Sequence, residues 1–328
     1  MSEKPVLGID ISKDKLDVDL LVNGKHMHNV FDNQAQGHQQ LVQWVKKQGL
    51  ATVHACMEAT GKYGEAIAEY LYAQGFSVSV VNPARIKAYG QSQLRRNKTD
   101  KADAQLIAEF CLSQNPALWS PPSDSFKDLQ AMMRRLEDLQ NNRQQESNRL
   151  QSGLSNSVVI DDLNAHLEYL DKQITKLRQS IQQHIDRHPD LKQQQELLES
   201  IPGIGSLTAA KLLSEIRSVS DFDSARQLAA YAGLTPKNFR SGTSVLRKTI
   251  LSKTGNANIR KMLYMSAISA KRWNPIIRSF CERLALSGLR PMEIIGAAMR
   301  KLLHLVFGIL KSRRPFDPNH LVNVQFTS

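Results

Sequence analysis

The chain has 328 residues, with 43 Lys and Arg against 31 Asp and Glu, so it carries a net charge of +12. This length predicts two or three domains, and the excess of basic residues indicates a polyanionic partner such as nucleic acid. Three widely separated cysteines argue against a disulfide framework or zinc cluster. The sequence shows neither a signal peptide nor an unbroken apolar span, which predicts a cytoplasmic protein with no membrane partner.

Residues 1–120 alternate strand and helix signals. Three β-rich segments come first, and Asn23-Gly24 is a typical hairpin turn between the second and the third. β-α-β units follow, and Glu58 ends the first strand of these units. Thr99 is expected to cap a helix that starts at Asp100. This order predicts an α/β domain, a mixed sheet with helices on its faces as in RNase H-like folds.

Residues 121–195 have little β signal and are rich in Gln, Asn, Arg and Glu. Apolar residues recur there at alternating spacings of four and three, which is a heptad seam. The seam consists of Leu163, Leu167, Leu170, Ile174, Leu177 and Ile181. A shorter seam of the same kind begins at Leu129. We predict an antiparallel coiled-coil hairpin that pairs with another subunit; the alternative is a helix pair that is complete within one chain.

Residues 196–328 are predicted to be all-α with short polar loops. Between two of the helices lies Ile-Pro-Gly-Ile-Gly, at 201–205. Glycines allow the backbone to approach a phosphate, and the following helix presents its N-terminus to that anion. Gly203 and Gly205 therefore indicate a helix-hairpin-helix that holds the DNA backbone. The alternative is a tight helix-helix turn that binds nothing.

Four acidic residues form the first candidate site. Asp10 lies inside an apolar strand and Glu58 ends another, where a carboxylate is costly to bury unless its charge is compensated. Asp100 and Asp103 are three residues apart and share one helix face. Converging carboxylates favour hard cations with oxygen ligands, Mg²⁺ first among them. Such a site activates a nucleophile at phosphorus and stabilises the leaving oxygen.

Several acids also have an ordinary interpretation. Asp100 and Asp103 are acids of a first helical turn, where the helix dipole favours them. Asp17 and Asp19 lie on a strand, and their alternation is typical of a solvated face.

The second candidate site is a loop from Lys237 to Lys261 that contains basic and hydroxyl residues and no acid. Such a composition suits phosphate binding. We assign nucleic-acid contacts to residues of this loop and of the polar segment around residue 100: Lys98, Lys101, Lys237, Arg240, Arg247, Lys248, Lys253, Arg260 and Lys261. Nearby cations or metal would also stabilise a serine alkoxide in this loop. The alternative is a solvated basic loop that only touches the nucleic-acid backbone.

Motifs in a characteristic order carry a resemblance over essentially the whole chain. They are GIDISKDKLDV, CMEATGKYGEAIAEYL, VNPARIKAY, RNKTDKADAQLIAEF, SIPGIG, YAGLTPKNFRSGTSVLRKTILSKTGNANIRKMLY and MRKLLHLVFGILKS. With these motifs the chain resembles the DEDD transposases of bacterial insertion sequences, relatives of the Piv-type DNA invertases. The resemblance implies a RuvC-like N-terminal domain and a C-terminal domain with a catalytic serine.

The resemblance also implies the site residues. It places the catalytic, metal-binding acids at Asp10, Glu58, Asp100 and Asp103, with Mg²⁺ as cofactor. It places the nucleophile at Ser241, within Arg-Ser-Gly, and neighbouring Ser244 is the alternative. The family's loop often carries a glycine near residues 246–248, where this chain has Leu-Arg-Lys.

Mechanism and partners follow from the same resemblance. A phosphoserine would hold the cut DNA, so that strand exchange needs no ATP. An element-encoded guide (bridge) RNA would pair with donor and target DNA, and the protein would contact backbone and shape. A homo-oligomer, dimer or tetramer, would form through the coiled coil and bring the acids of one subunit to the serine of another. The protein would be associated with the bacterial nucleoid.

Two other functions fit parts of the pattern. A RuvC-like, structure-selective nuclease would use the same acids for two-metal hydrolysis, and Ser241 would only bind phosphate. A non-catalytic nucleic-acid-binding protein with a degenerate nuclease fold would not need the complete acidic set. A covalent protein–DNA adduct distinguishes the recombinase from the nuclease, and metal-dependent cleavage distinguishes both from the binding protein.

Overall fold

The structure is a computed structural model that describes residues 4–94, 99–241 and 245–319. It divides into two compact units, Met1–Pro121 and Pro122–Ser328. Within the described ranges, no helix combines the length and the apolar character that crossing a membrane requires.

The described residues of the first unit form five strands and four helices. The strands are β1 (Val6–Ile11), β2 (Lys15–Val22), β3 (Lys25–Asp32), β4 (His54–Glu58) and β5 (Ser77–Val81). The helices are α1 (Ala35–Lys47), α2 (Lys62–Ala73), α3 (Pro83–Ser92) and α4 (Asp100–Gln114). The strand order is β3-β2-β1-β4-β5; β1, β2 and β3 pair antiparallel, while β1, β4 and β5 pair parallel. The predicted mixed sheet is confirmed.

Two local signals act as the sequence predicts. Asn23 and Gly24 connect β2 to β3 with φ of 49° and 74°, the positive values that a tight hairpin turn of this kind requires. The Thr99 hydroxyl accepts a hydrogen bond of 3.2 Å from the Ala102 N–H, so Thr99 caps α4 by satisfying a free donor of its first turn.

Side chains of β1 alternate between two apolar clusters. Leu7 and Ile9 pack with α1 and α2 on one face of the sheet, while Val6 packs with α3 and α4 on the other. On that second face, a Cβ at Gly8 would lie 2.2 Å from the backbone oxygen of Ala104. Only glycine therefore allows α4 to lie this close to β1.

The second unit is mostly helical. Its helices are α5 (Asp124–Leu150), α6 (Ser157–Arg187), α7 (Pro189–Glu199), α8 (Ser206–Glu215), α9 (Ala225–Tyr231), α10 (Ala257–Trp273), α11 (Pro275–Leu286) and α12 (Pro291–Ser312), with a 3₁₀ turn at Val219–Asp221. Two strands, β6 (Pro236–Ser241) and β7 (Val245–Leu251), form an antiparallel pair between α9 and α10.

Helices α5 and α6 pack against each other in opposite directions. The Arg143 side chain, late in α5, donates to Asp171 in the middle of α6, whereas the end of α6 reaches the start of α5. The α6 seam is buried inside the chain, as Leu170 and Ile174 show. The seam therefore does not by itself require a second subunit.

The predicted basic loop from Lys237 to Lys261 is wrong as a description of local structure, because β6 and β7 occupy nearly half of it and α10 begins at Ala257. The physical reason is visible in the composition: Val, Leu, Thr and Ile cluster after a short Ser-Gly-Thr segment, and such residues favour strands. The segments on either side of the hairpin are joined by Arg260, whose guanidinium donates to the carbonyl oxygens of Ala232 and Gly255.

Candidate active site

Asp10 lies on the face of β1 that α4 covers. Strand side chains alternate between faces, so Asp10 shares the side of Gly8, where α4 approaches the sheet. Helix α4 begins at Asp100, and its first turn carries both Asp100 and Asp103. The sheet and the first turn of α4 thus bring three of the four predicted acids into electrostatic contact.

The charge state of Asp10 reflects this crowding. Burial, followed by the negative charges of Asp103, Asp100 and Asp17, raises the pKa of Asp10 from 3.8 to about 6. Like charges disfavour the ionised carboxylate, so an ionised Asp10 needs a cation close by. A raised pKa with named neighbours of this kind is typical of functional sites.

Glu58, the fourth predicted acid, ends the strand beside β1. Ile9 and Met57 are in parallel register, and both face the cluster of α1 and α2. Since side chains alternate, Asp10 and Glu58 come next on their strands and both face α4. The Glu58 side chain is half-buried. All four predicted acids therefore lie on the side of the sheet that α4 covers.

Lys15 is the cation of this cluster, and the sequence interpretation missed it. Its ammonium lies 2.6 Å from an Asp100 oxygen and 3.0 Å from an Asp17 oxygen. Hydrogen bonds to Asp100 and then to Asp17 raise the pKa of Lys15 above its usual range. The available signal was period-two spacing, because Lys15 and Asp17 share a face of β2.

The interpretation of Asp17 and Asp19 as a solvated face is wrong. Their exposures are 5% and 0%, because α4 packs over this side of β2. Each is hydrogen-bonded to a histidine of β3: a ring nitrogen of His28 lies 3.2 Å from Asp17, and a ring nitrogen of His26 lies 2.6 Å from Asp19. One oxygen of Asp19, Oδ1, is buried and has no hydrogen-bond partner in the described part of the chain.

The cluster fits a hard divalent cation in charge and in donor type. Its oxygens are carboxylates, the ligands that Mg²⁺ prefers, and Asp10 carries the uncompensated repulsion described above. Among the residues that the structure describes, no three His, Cys, Asp or Glu side chains already form a ligand set. The Lys15 ammonium instead holds Asp100 and Asp17, so a bound cation would have to compete with it.

The predicted nucleophile belongs to the second unit. Ser241 is the last residue of β6, and its backbone is in register with Val245 of β7. Arg240 also lies in β6, and Arg247 and Lys248 lie in β7. The alternative nucleophile, Ser244, and the predicted nucleic-acid contact Lys98 lie outside the described residues.

The other predicted basic contacts have different environments. Lys101, Lys237 and Lys253 are exposed. The Lys261 ammonium lies 3.0 Å from Glu137, whose other oxygen pairs with Lys211. Exposed lysines can meet a polyanion directly, whereas Lys261 must first leave its carboxylate.

Arg260 has a structural task. One of its nitrogens, Nη1, donates to the carbonyl oxygens of Ala232, Gly255 and Asn256. This network joins the C-terminal end of α9 to the turn before α10. These are the two segments that flank the serine-bearing hairpin.

The two predicted phosphate-binding glycines differ. Gly203 has φ of +106°, and a Cβ there would lie 2.7 to 2.8 Å from three atoms of Ala270 in α10. Its small size serves packing against that helix. A Cβ at Gly205 would meet nothing within 4 Å, and Gly205 is the N-cap of α8. Of the two glycines, Gly205 is therefore the one that offers open space for an anion.

Two family models match the chain. The DEDD transposase model of IS110 type, described as "Transposase", matches residues 7–159. A second model, described as "Transposase IS116/IS110/IS902 family", matches residues 195–282. The two matches include the acidic cluster and the serine-bearing hairpin respectively.

Several known proteins are similar along most of their length. The chain is 35% identical over 318 residues to the pilin gene-inverting protein of Moraxella bovis, which covers 96% of this chain and 98% of the relative. It is 25% identical over 303 residues to the transposase for insertion sequence element IS1328 of Yersinia enterocolitica, covering 81% and 84%. Among solved structures, T. thermophilus RuvC in complex with Holliday junction substrate matches 32% of this chain and 90% of its own, at 15% identity and a TM-score of 0.26.

Proposed function

Because the chain belongs to the IS110 family of DEDD transposases, we propose that it cuts donor and target DNA and rejoins the strands through a covalent protein–DNA intermediate. The carboxylate cluster around Asp10, under the first turn of α4, is the observation that supports this most directly. Relatives named as transposases and as a gene-inverting protein support recombination of DNA over simple degradation.

The four acids have one task in this proposal. Asp10, Glu58, Asp100 and Asp103 hold Mg²⁺, which supplies positive charge to the scissile phosphate and to the oxygen that leaves it. Gly8 sets the distance between the strand acid and the helix acids. Lys15 holds both Asp100 and Asp17 in the absence of the cation and keeps only Asp17 when the cation is bound.

Ser241 is the nucleophile of the proposal. Its Oγ forms a bond to phosphorus while the bond from phosphorus to the departing sugar oxygen breaks. The serine proton passes to solvent or a nearby base, and the departing oxygen takes up a proton. In the rejoining step a sugar hydroxyl of the new partner strand attacks the phosphoserine and releases Ser241. One phosphodiester is exchanged for another, so no ATP is consumed.

Sequence choice is assigned to RNA. A guide RNA encoded by the element pairs with donor and target DNA, and the protein contacts backbone and shape. The support is the family resemblance and the net charge of +12, which suits the simultaneous neutralisation of several nucleic-acid strands. Gly205 and the exposed lysines Lys101, Lys237 and Lys253 are the first candidates for backbone contacts.

Assembly through the α5–α6 hairpin remains part of the proposal, as a dimer or tetramer. Since the seam is buried within the chain, it no longer supports assembly. The support is instead the apolar tip of the hairpin at the start of α6, where Val158 and Val159 are 74% and 43% exposed. Changing both to Lys should lower the oligomeric state in light scattering, while the matched control Thr175→Lys with Gln179→Lys, at exposed positions in the middle of α6, should not. An unchanged mass for the tip variant would contradict this assignment.

Hydrolysis without a covalent intermediate is the second candidate. It is favoured by one observation, namely that the acidic cluster is assembled entirely from elements of the first unit. In that case an activated water attacks phosphorus, and Ser241 only binds phosphate.

One experiment separates the two candidates. Wild type, Ser241→Ala, Ser244→Ala and Asp10→Asn are incubated with the element's flanking RNA and DNA, with Mg²⁺ or with a chelator. We expect covalent adducts and recombinant junctions from wild type and Ser244→Ala in Mg²⁺, and from neither other variant. Adducts that persist in Ser241→Ala and vanish in Ser244→Ala would move the nucleophile to Ser244. Cleavage by wild type without any adduct would establish the hydrolytic nuclease instead.

A further inference from the structure

The helix pair α9–α12 carries basic side chains to which the proposed function gives no task. Buried Leu228 of α9 belongs to the same apolar cluster as Met299 and Leu302 of α12, so the two helices pack directly. Around this contact lie four nitrogen-bearing side chains, called here the α9–α12 basic cluster: Arg226, Arg300, Lys301 and His304.

The cations of this cluster have no counter-ion among the residues that the structure describes. Throughout residues 4–94, 99–241 and 245–319, no hydrogen bond or ion pair engages the side chains of Arg226, Arg300 or Lys301. Other basic residues of the same unit are paired, for example Arg143 with Asp171. Arg300 and Lys301 are also half-buried. A half-buried, uncompensated pair of cations is costly unless an external anion completes it.

His304 adds an independent observation at the same place. Its Nε2 atom is buried and has no hydrogen-bond partner among the described residues. Burial, and then the positive charges of Arg300, Lys301 and Arg226, lower the pKa of the imidazole. A neutral imidazole with a hydrogen on Nε2 is a free donor. The positive field that disfavours imidazolium would attract an anion to the same point.

We propose that the α9–α12 basic cluster binds a phosphodiester of the nucleic-acid backbone. Arg226 and Arg300 present planar guanidinium groups that suit two phosphate oxygens. Lys301 supplies a further charge. His304, whose side chain as a whole is only half-buried, donates one neutral hydrogen bond from Nε2 once its ring turns to bring that atom to the phosphate. The inference takes its ligand class, nucleic acid, from the proposed function, but it involves neither the acids nor the serine.

The position of the cluster gives this contact a use. Gly296, one turn before Arg300, lies against Leu251 at the end of β7, where a Cβ would be 3.0 Å from the leucine side chain. Arg300 is therefore only about 6 Å further along α12. A backbone phosphate bound there lies beside the base of the hairpin that bears Ser241. The cluster thus orients a strand relative to that hairpin.

The test measures binding and leaves out chemistry. Full-length protein carrying Arg226→Gln, Arg300→Gln and Lys301→Gln is compared with wild type by fluorescence anisotropy over a range of salt. The probes are a labelled random-sequence DNA duplex and a labelled single-stranded RNA. Lys176→Gln, an exposed lysine of α6, is the control with one charge removed elsewhere. We expect at least about a tenfold loss of affinity and a salt slope smaller by about two to three units on the duplex, while the control changes little.

The outcomes are distinct. A loss on one probe alone identifies DNA or RNA as the source of the phosphate and supports the proposal. Unchanged affinity and slope on both probes, or no measurable wild-type binding to either, would overturn it. If circular dichroism shows that the triple variant is unfolded, Arg226→Gln replaces it, because that side chain is exposed; a loss of about one unit of slope is then expected, and none refutes the proposal. Adduct formation by wild type is scored separately, so failure of the proposed function is recognised independently.

Discussion

Replacing Asp10 by Asn should stabilise the metal-free protein. In the folded state, burial and the charges of Asp103, Asp100 and Asp17 raise the pKa of Asp10 from 3.8 to about 6. A shift of that size corresponds to about 3 kcal/mol if it acts in full. Solvent reaches part of this carboxylate, and screening reduces the effect to about 1 to 2 kcal/mol. Asparagine retains the shape and removes the charge, so the free energy of unfolding should rise by that amount.

The gain should depend on pH with a definite sign. Because the folded pKa lies above the unfolded one, the folded state binds the Asp10 proton more tightly. That proton-linked stability of wild type is fully present below pH 3.8 and is lost as pH rises through about 6. Asp10→Asn should therefore match wild type near the lower value and exceed it at neutral pH.

Urea unfolding in a chelator, at a series of pH values between these limits, measures the difference. Asp162→Asn, which removes an exposed acid from α6, is the control and should follow wild type throughout. In Mg²⁺ the order should reverse, because wild type gains stability from the bound cation and the variant has lost a ligand. A variant that is less stable than wild type at neutral pH in chelator would refute the electrostatic argument.

Three further substitutions test other parts of the molecule. Lys15→Gln removes the intramolecular cation from Asp100, so isothermal titration calorimetry should show several-fold tighter Mg²⁺ binding; weaker binding would mean that Lys15 organises the site and does not compete for it. Gly8→Ala places a Cβ 2.2 Å from a backbone oxygen of α4, and the free energy of unfolding should fall by about 1 to 3 kcal/mol in urea, whereas an unchanged value would contradict the close contact. Gly203→Ala should also destabilise by at least about 1 kcal/mol. Gly205→Ala, its control with open space around it, should cost clearly less, because only the poorer N-cap preference of alanine acts there.

The sequence predicts the first unit well because its signals are local. Alternation in β1 places Ile9 in the core and Asp10 on the other face, and a cap at Thr99 predicts the start of α4. Local patterns do not predict which distant element packs over a given face of a strand. Asp17 and Asp19 have the spacing of solvated acids, and they become buried only because a helix from distant sequence packs over them. Lys15 was overlooked for the same reason.

In the second unit, the basic composition hides the secondary-structure signal. The basic character of 237–261 favours a loop, although its β-branched residues favour the two strands that the structure contains. The sequence does not distinguish the two glycines of 201–205, yet Gly203 packs against Ala270 and Gly205 does not. Only the neighbouring helix α10 distinguishes them, and its position follows from the tertiary fold.

Because side chains alternate along β1, its six residues determine two separate features of the fold. One set of positions, Leu7, Ile9 and Ile11, specifies the core; the other set, with Gly8 and Asp10, specifies where α4 sits and where charge accumulates. A substitution at one position changes either the core packing or the contact with α4, and leaves the other unchanged. Deleting the residue between Gly8 and Asp10 would move every later side chain of β1 to the opposite face. The carboxylate would then point into the core, and an isoleucine would point toward the first turn of α4. Homologues should therefore tolerate changes of residue in this strand far more readily than changes of its length.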